Sequence, residues 1–279
     1  MRRLVWLASY PKSGNTWFRA FLRALFSGSV TLNALGFEHS GRRRDYDELL
    51  GIETAYLHDH ELELLRPEVY RAKARECPHP ALVVKTHEGY RKLGDGGCLF
   101  PPECTRGVVY LARNPLDVAV SYAFHLEEGD FDQAIAKMGS QQSWGMARDR
   151  YSHQTSQLLP DWSTHVSGWL DNHELPVHLV RYEALLAQPE ATFAEALAFL
   201  GLEYSPEQVS QAVELSSFER LREQEQRQGF WEKMRVGVEF FRRGQAGQWR
   251  QHLSPEQRDR VLSQHHNVMA RLGYLPEGD

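Results

Sequence analysis

The stretch LVWLASYPKSGNTWFRAFLRALF, Leu4 to Phe26, decides how the rest of the chain is read. Leu4-Val5-Trp6-Leu7-Ala8 is an apolar run of strand length. From Thr16 onward, apolar residues return at intervals of three and four (Trp17, Ala20, Phe21, Ala24, Leu25), the period of an amphipathic helix. Between them, Ser9-Tyr10-Pro11-Lys12-Ser13-Gly14-Asn15 brings one cation, hydroxyls and backbone N–H groups to a helix N-terminus, whose dipole favours anions. Strand, phosphate cradle and helix are predicted. Lys12 precedes the single Gly14, so the pattern is not the GxxxxGK[ST] of nucleoside triphosphatases. On this stretch alone, an ordinary strand–helix turn with a solvated lysine stays open.

With 279 residues, 42% of them hydrophobic, the chain can bury a large core. No linker, repeat or low-complexity tract divides it, so one α/β domain over 1–279 is expected. A net charge of −5 argues against broad nucleic-acid binding and requires any anion site to be a local cluster of cations. Cys77, Cys98 and Cys104 are odd in number and lack CxxC spacing, which points to a reducing compartment, a cytoplasmic enzyme and no zinc site. Arg2-Arg3 and the apolar residues after it mimic a signal peptide, but Pro11-Lys12 cuts the run too early, and no run is long enough to span a membrane. His58-Asp59-His60 and His265-His266 lack companion metal ligands and read as solvated surface, as does the Arg42-Arg43-Arg44 run.

Residues 27 to 57 carry scattered glycines and read as irregular cover, and Glu61 to Ala74 reads as a helix. Ala81-Leu82-Val83-Val84 is the continuous apolar run of a strand buried on both faces, and Lys85-Thr86-His87 follows it at the carboxyl end, where open α/β sheets bind ligands. Lys85 and His87, two apart, share one side of an extended chain; a merely polar strand end remains the alternative. Val108-Val109-Tyr110-Leu111-Ala112 repeats the pattern and ends in Arg113. Asn114-Pro115-Leu116-Asp117 then reads as N-cap, helix-start proline and an acidic third residue of a helix to Phe124. Ser121 lies about two turns into that helix, within reach of a second anion beside Arg113. Residues 127 to 154 are weakly periodic and read as a mobile lid. Trp162, Val166, Trp169 and Leu170 mark the core face of a helix, and a strand follows at Pro176 to Arg181, with Tyr182 at its end. Helices follow at Pro189 to Leu200, from Ser205-Pro206, and from Ser254-Pro255 to Leu272. Before the last of these, Arg242-Arg243-Gly244 sits in a glycine-flanked loop suited to wrapping an anion.

Four of these motifs, in order, resemble those of sulfotransferases that use 3′-phosphoadenosine 5′-phosphosulfate (PAPS), of the cytosolic and bacterial natural-product type. Tyr10 to Trp17 resembles their 5′-phosphosulfate loop, Ala112 to Tyr122 their 3′-phosphate motif, Lys85-Thr86-His87 their catalytic strand end, and Arg242-Arg243-Gly244 with Gly247 and Trp249 their C-terminal RKGxxGxW loop. The resemblance spans most of the chain. It implies a mostly parallel sheet flanked by helices, with a P-loop-like phosphosulfate loop. Lys12, Ser13, Gly14, Asn15 and Thr16 would hold the 5′ phosphate, and Trp17, Tyr182, Ser216 and Phe218 would surround the adenine. Arg113, Ser121, Arg242, Arg243 and Gly244 would hold the 3′ phosphate. Asn15 stands where threonine is commoner, Arg243 where the family has lysine, and Gln248 where it has an acidic residue. The short dimerisation motif of the animal enzymes has no clear match, so a homodimer is possible but not indicated.

The implied chemistry is metal-free, in-line sulfuryl transfer from PAPS to a hydroxyl of a small alcohol or phenol, with 3′-phosphoadenosine 5′-phosphate (PAP) as product. His87 would be the general base, since imidazole ordinarily titrates near neutrality. Lys12 and Lys85 would carry the developing charge, and Ser121 would restrain Lys12. A small-molecule kinase with a related loop is the runner-up, set back by the lack of a metal-binding carboxylate at these strand ends. A PAP-binding protein without turnover is a third reading. The acceptor pocket is expected from residues 31 to 80 and 125 to 155, with Phe37, Tyr46, Tyr56, Phe124, Phe131 and Trp144 as its aromatic part.

Overall fold

The computed structural model describes residues 3–126, 129–141, 143–145, 152–233 and 237–276, the side chains of Leu126 and of residues 143–145 aside. Its strands are β1 (Leu4–Ser9), β2 (Glu38–His39), β3 (Leu82–Thr86), β4 (Thr105–Ala112), β5 (Ser143–Gly145), β6 (Gln157–Leu159) and β7 (Val177–Arg181). Five of them form one sheet in the order β2-β3-β1-β4-β7, while β5 and β6 pair antiparallel by themselves. All six residues of β1 are buried, as expected of a strand covered on both faces. It runs parallel to β3, from Leu4 opposite Leu82 to Ala8 opposite Thr86, and β2 adds to the far side of β3 in the same direction. The fold is α/β, with a central parallel sheet flanked by helices.

The chain divides into two compact units: residues 1–10, 37–110 and 140–179, and residues 11–36, 111–139 and 180–279. Each is assembled from three separated segments, so no linker in the sequence marks the division.

The first unit centres on Trp6, which meets Tyr70 and Phe100 edge-on at 4.7 and 4.9 Å and donates from Nε1 to Thr105 Oγ1 at 3.0 Å. A second cluster, Tyr46, Leu62 and Val69, packs the helix Arg43–Leu50 against Asp59–Glu76. That helix contradicts the expectation of irregular cover over residues 27 to 57. Its turns are held by pairs such as Arg44 with Glu48, and its inward face is only partly apolar, which hid its period. The Arg42-Arg43-Arg44 run is corrected with it: Arg43 is buried, and Arg42 pairs with Glu38 and Asp45. Tyr46, expected in the acceptor pocket, is a core residue, whereas Tyr56 is exposed.

In the second unit, Phe21 of the helix Asn15–Ser27 stacks on Phe193 of Pro189–Phe199 at 3.7 Å. Ser205 and Ser254 cap their helices with Gln208 and Gln257 in capping boxes, as their Ser-Pro signals predict. His265 is buried inside Pro255–Leu272, not on the solvated surface expected for it. The predicted lid over 127 to 154 contains the helix Phe131–Met138, capped by Asp130, and strand β5. Ala134, Ile135 and Met138 bury that helix's apolar face, and its eight residues are too short for the period to stand out. The rest of the lid expectation, at residues 127, 128, 142 and 146–151, falls outside the described residues.

Candidate active-site residues

In the second unit, Lys12 has φ 70°, the one non-glycine with positive φ among the described residues, and Gly14 has φ 100°. Such alternation about Ser13 forms a concave run of backbone N–H groups that suits an anion. Glycine is required at 14 for a second reason, because a Cβ there would lie 2.8 Å from the Tyr182 ring. No side chain caps the helix Asn15–Ser27, which leaves its first N–H groups to a ligand or water. Ser13 Oγ and Trp17 Nε1 are buried without a partner among the described residues. The Lys12 ammonium lies 4.0 Å from the centre of the Phe240 ring. The side chains of Asn15 and Thr16 turn to Arg19: Asn15 Oδ1 accepts from Nε at 3.1 Å and Thr16 Oγ1 from Nη2 at 3.0 Å. Glu232 accepts from the same Nη2 at 2.8 Å and from the Thr16 hydroxyl at 3.5 Å, so a carboxylate sits beside the predicted phosphate loop.

Arg113, one residue past β4, ties three segments of this unit together. Its Nη1 donates to the Lys12 carbonyl and its Nη2 to the Gln245 carbonyl, both at 3.1 Å, while the guanidinium lies 4.4 Å from the Tyr182 ring centre. Its Nε is buried without a partner among the described residues. Arg242 lies over Phe124 at 4.2 Å. Burial, then the neighbouring charges of Arg243 and Arg113, push the Arg242 guanidinium below its usual range. The three arginines thus form one cationic cluster. Gly244, with φ +61°, presses against Phe218, where any Cβ would clash with the ring. Ser121 is half-buried along the helix Pro115–Leu126. Ser216 is fully buried, and its hydroxyl donates to the Ala212 carbonyl at 2.7 Å, which leaves only acceptor capacity for a ligand.

Asn114 caps its helix as predicted, accepting from the Leu116 N–H at 3.0 Å. Asp117 does something sequence reasoning missed. It is buried, and its carboxylate accepts from the N–H groups of Gly247 at 2.6 Å and Trp249 at 3.1 Å, fastening the arginine loop to this helix. No local signal separates that role from an ordinary acidic first turn.

In the first unit, Lys85 is the last residue but one of β3 and His87 the first beyond it. Thr86 faces the opposite way and is buried, receiving a bond from Ser40 Oγ at 3.0 Å. His87 Nδ1 lies 2.8 Å from the Ser9 carbonyl and 3.1 Å from Ser9 Oγ. A carbonyl only accepts, so Nδ1 carries the proton in the neutral ring and Nε2 presents the basic lone pair. The register of β1 against β3 sets this contact, which no motif announces. Glu88, directly after His87, is fully buried and accepts from Arg66, from Arg91 at 3.2 Å and from the Leu158 N–H at 3.4 Å.

With this geometry in place, comparison with known proteins is decisive at the family level: the sulfotransferase domain model matches residues 2–273. The chain belongs to that family. This sulfotransferase is 25% identical over 281 residues to flavonol 3-sulfotransferase of Flaveria bidentis, covering 92% of this chain and 78% of that one. It is 27% identical over 174 residues to 3-alpha-hydroxysteroid sulfotransferase of Cavia porcellus, covering 61% and 58%. It shares its fold with retinol dehydratase, solved in complex with androsterone and the inactive cofactor PAP, at a TM-score of 0.61 and 22% identity over 96% of this chain and 81% of that one. Among the described residues of this sulfotransferase, no helix is long and apolar enough to cross a membrane, and no group of three or more His, Cys, Asp or Glu could hold a metal ion.

Proposed function

We propose that this sulfotransferase moves the sulfuryl group of PAPS in line onto a hydroxyl of a small alcohol or phenol, with His87 as general base. The observation that carries the reading is the Ser9 carbonyl on His87 Nδ1, which leaves the proton-accepting lone pair on Nε2. Loss of the acceptor's proton to Nε2 makes its oxygen a nucleophile; that oxygen bonds to sulfur as the bond from sulfur to the departing phosphate oxygen breaks.

The residues of the second unit fit the donor's anionic groups. The positive-φ loop around Ser13, a hydroxyl without a partner among the described residues and the helix start without a side-chain cap suit the 5′ phosphosulfate. The Arg113, Arg242 and Arg243 cluster, where burial and then like charges outweigh Asp117 and hold the Arg242 guanidinium below its usual range, suits the 3′ phosphate together with Gly244 and Ser121. Trp17, Tyr182, Ser216 and Phe218 provide rings and an acceptor oxygen for the adenine. Lys12 and Lys85 neutralise charge that builds on the sulfuryl and bridging oxygens, which a loose transition state needs more than the ground state does. The relatives named for a flavonol and a 3-alpha-hydroxysteroid favour a ring-bearing acceptor.

The test is turnover of His87→Ala with labelled PAPS against a panel of alcohols and phenols, read by mass spectrometry. Turnover should fall on the order of 10²–10⁴-fold for aliphatic alcohols and less for acidic phenols, with PAP affinity nearly unchanged. Weakened PAP binding with an intact rate at saturation would make His87 a donor-binding residue and overturn the mechanism.

A further inference from the structure

Behind His87, in the first unit, lies a second histidine that the mechanism does not use. His165 of the helix Trp162–Leu170 is buried, with its Nε2 3.1 Å from the His87 carbonyl and its Nδ1 2.8 Å from the Tyr110 hydroxyl of β4. The carbonyl can only accept, so Nε2 is the donor, and Nδ1 then takes the Tyr110 hydroxyl proton. One turn further, Trp169 Nε1 donates to the Glu88 carbonyl at 3.0 Å. Residues four apart share a helix face, so this one face bonds two successive carbonyls of the chain leaving β3. The Tyr10 ring stands edge-on to His165 at 5.4 Å and closes the other side.

We propose that His165, its Nε2–H set by the His87 carbonyl and its Nδ1 bonded by the Tyr110 hydroxyl, is the positioning residue for His87 and keeps its imidazole aimed at the acceptor. The inference rests on the reading of His87 as the base. His87 is held at two points, its ring by the Ser9 carbonyl and its backbone by His165. A histidine serving only to fill the core would need neither a fixed tautomer nor a bond to the catalytic residue's own carbonyl.

The experiment compares full-length His165→Leu, His165→Gln, Tyr110→Phe and His87→Ala for kcat at saturating donor and acceptor, PAP Kd and melting temperature. His165→Leu should lower kcat on the order of 10²-fold with PAP Kd changed by less than about twofold, because displacement of a reacting group costs rate, not donor binding. His165→Gln, whose amide N–H can stand where Nε2–H stood, should recover most of that loss. Tyr110→Phe, which removes the Nδ1 partner and leaves the ring its bond to the His87 carbonyl, should fall between them. If His165→Leu does not fold, His165→Asn replaces it, since its amide is too short to reach the carbonyl: Gln active and Asn impaired supports the proposal. Folded His165 variants that turn over like the wild type, while His87→Ala does not, overturn it. So does a loss equal in the Gln and Leu (or Asn) variants. Retained turnover in His87→Ala is the separate signature that the base assignment itself is wrong.

Discussion

Arg113 bonds the Lys12 and Gln245 carbonyls and covers Tyr182, yet keeps a buried Nε without a partner among the described residues. A side chain so engaged sets the shape of its surroundings as well as their charge. Arg113→Ala should therefore erase most of the preference for PAP over AMP, costing roughly 1.5–3 kcal/mol for the charge-assisted contact. Thermal shift with each nucleotide measures this, and equal shifts for PAP and AMP in the wild type would sink the assignment. At the same scale, burial pushes the His165 pKa down to about 4, with Asp161, Tyr110 and Tyr10 as the titratable groups around it. Above the ordinary histidine pKa of about 6.5, neither folded nor unfolded chain takes the proton. As pH falls from there, the unfolded chain binds a proton that the native ring refuses, and stability is lost down to about pH 4. Below that, the native ring charges too and the loss stops growing. The His165 share of the slope through that window should be at most about 1.4 kcal/mol per pH unit, and it should appear as the difference between chemical denaturation of wild type and of His165→Gln, since His252, also held below its usual range, contributes to both.

The helix Pro115–Leu126 is the element on which the arginine cluster is mounted. Arg113 and Asn114 precede it, and Asp117 in its first turn grips the N–H groups of Gly247 and Trp249. Asp117→Ala removes two charge-assisted bonds, each of about 1.5–3 kcal/mol, and takes the partner from the buried Trp249 N–H and the half-buried Gly247 N–H. The expected outcome is a lower melting temperature together with PAP affinity weakened by about tenfold or more, since Arg242 and Arg243 ride on the released loop. Isothermal titration decides it; unchanged affinity would show that the loop holds its shape without Asp117. The helix itself was legible in sequence, from its cap to its starting proline. The destination of the Asp117 side chain was not, because the bonded N–H groups lie 130 and 132 residues further along. The helix Arg43–Leu50 escaped for the opposite reason: its inward face holds Arg43 and Asp45 beside Tyr46, and a period made of charges does not read as a core face.

For the molecule as a whole, a net charge of −5 coexists with a concentrated cluster of arginines, so positive charge is gathered locally on an acidic body. Three carboxylates beside the candidate residues are engaged by protein donors, Glu232 by Arg19 and Thr16. Glu88 serves Arg66, Arg91 and the Leu158 N–H, and Asp117 serves the arginine loop. Transfer should accordingly run at full rate in excess EDTA, and activity that returns only with added magnesium would favour a kinase-like use of the fold. What the sequence determined by itself was local. Apolar runs of strand length, a glycine where backbone must come close, Ser-Pro and Asn-Pro helix starts, and the order of four motifs are set by residues within a few positions of one another, and they suffice for α/β class, phosphate loop and family. The tertiary structure alone decided which atoms meet. The tautomer of His87 depends on a carbonyl 78 residues earlier, and its backbone on a ring 78 residues later. Strand register and helix packing, not chain proximity, bring those partners within 3.1 Å or closer, and pattern in a single sequence carries no record of them.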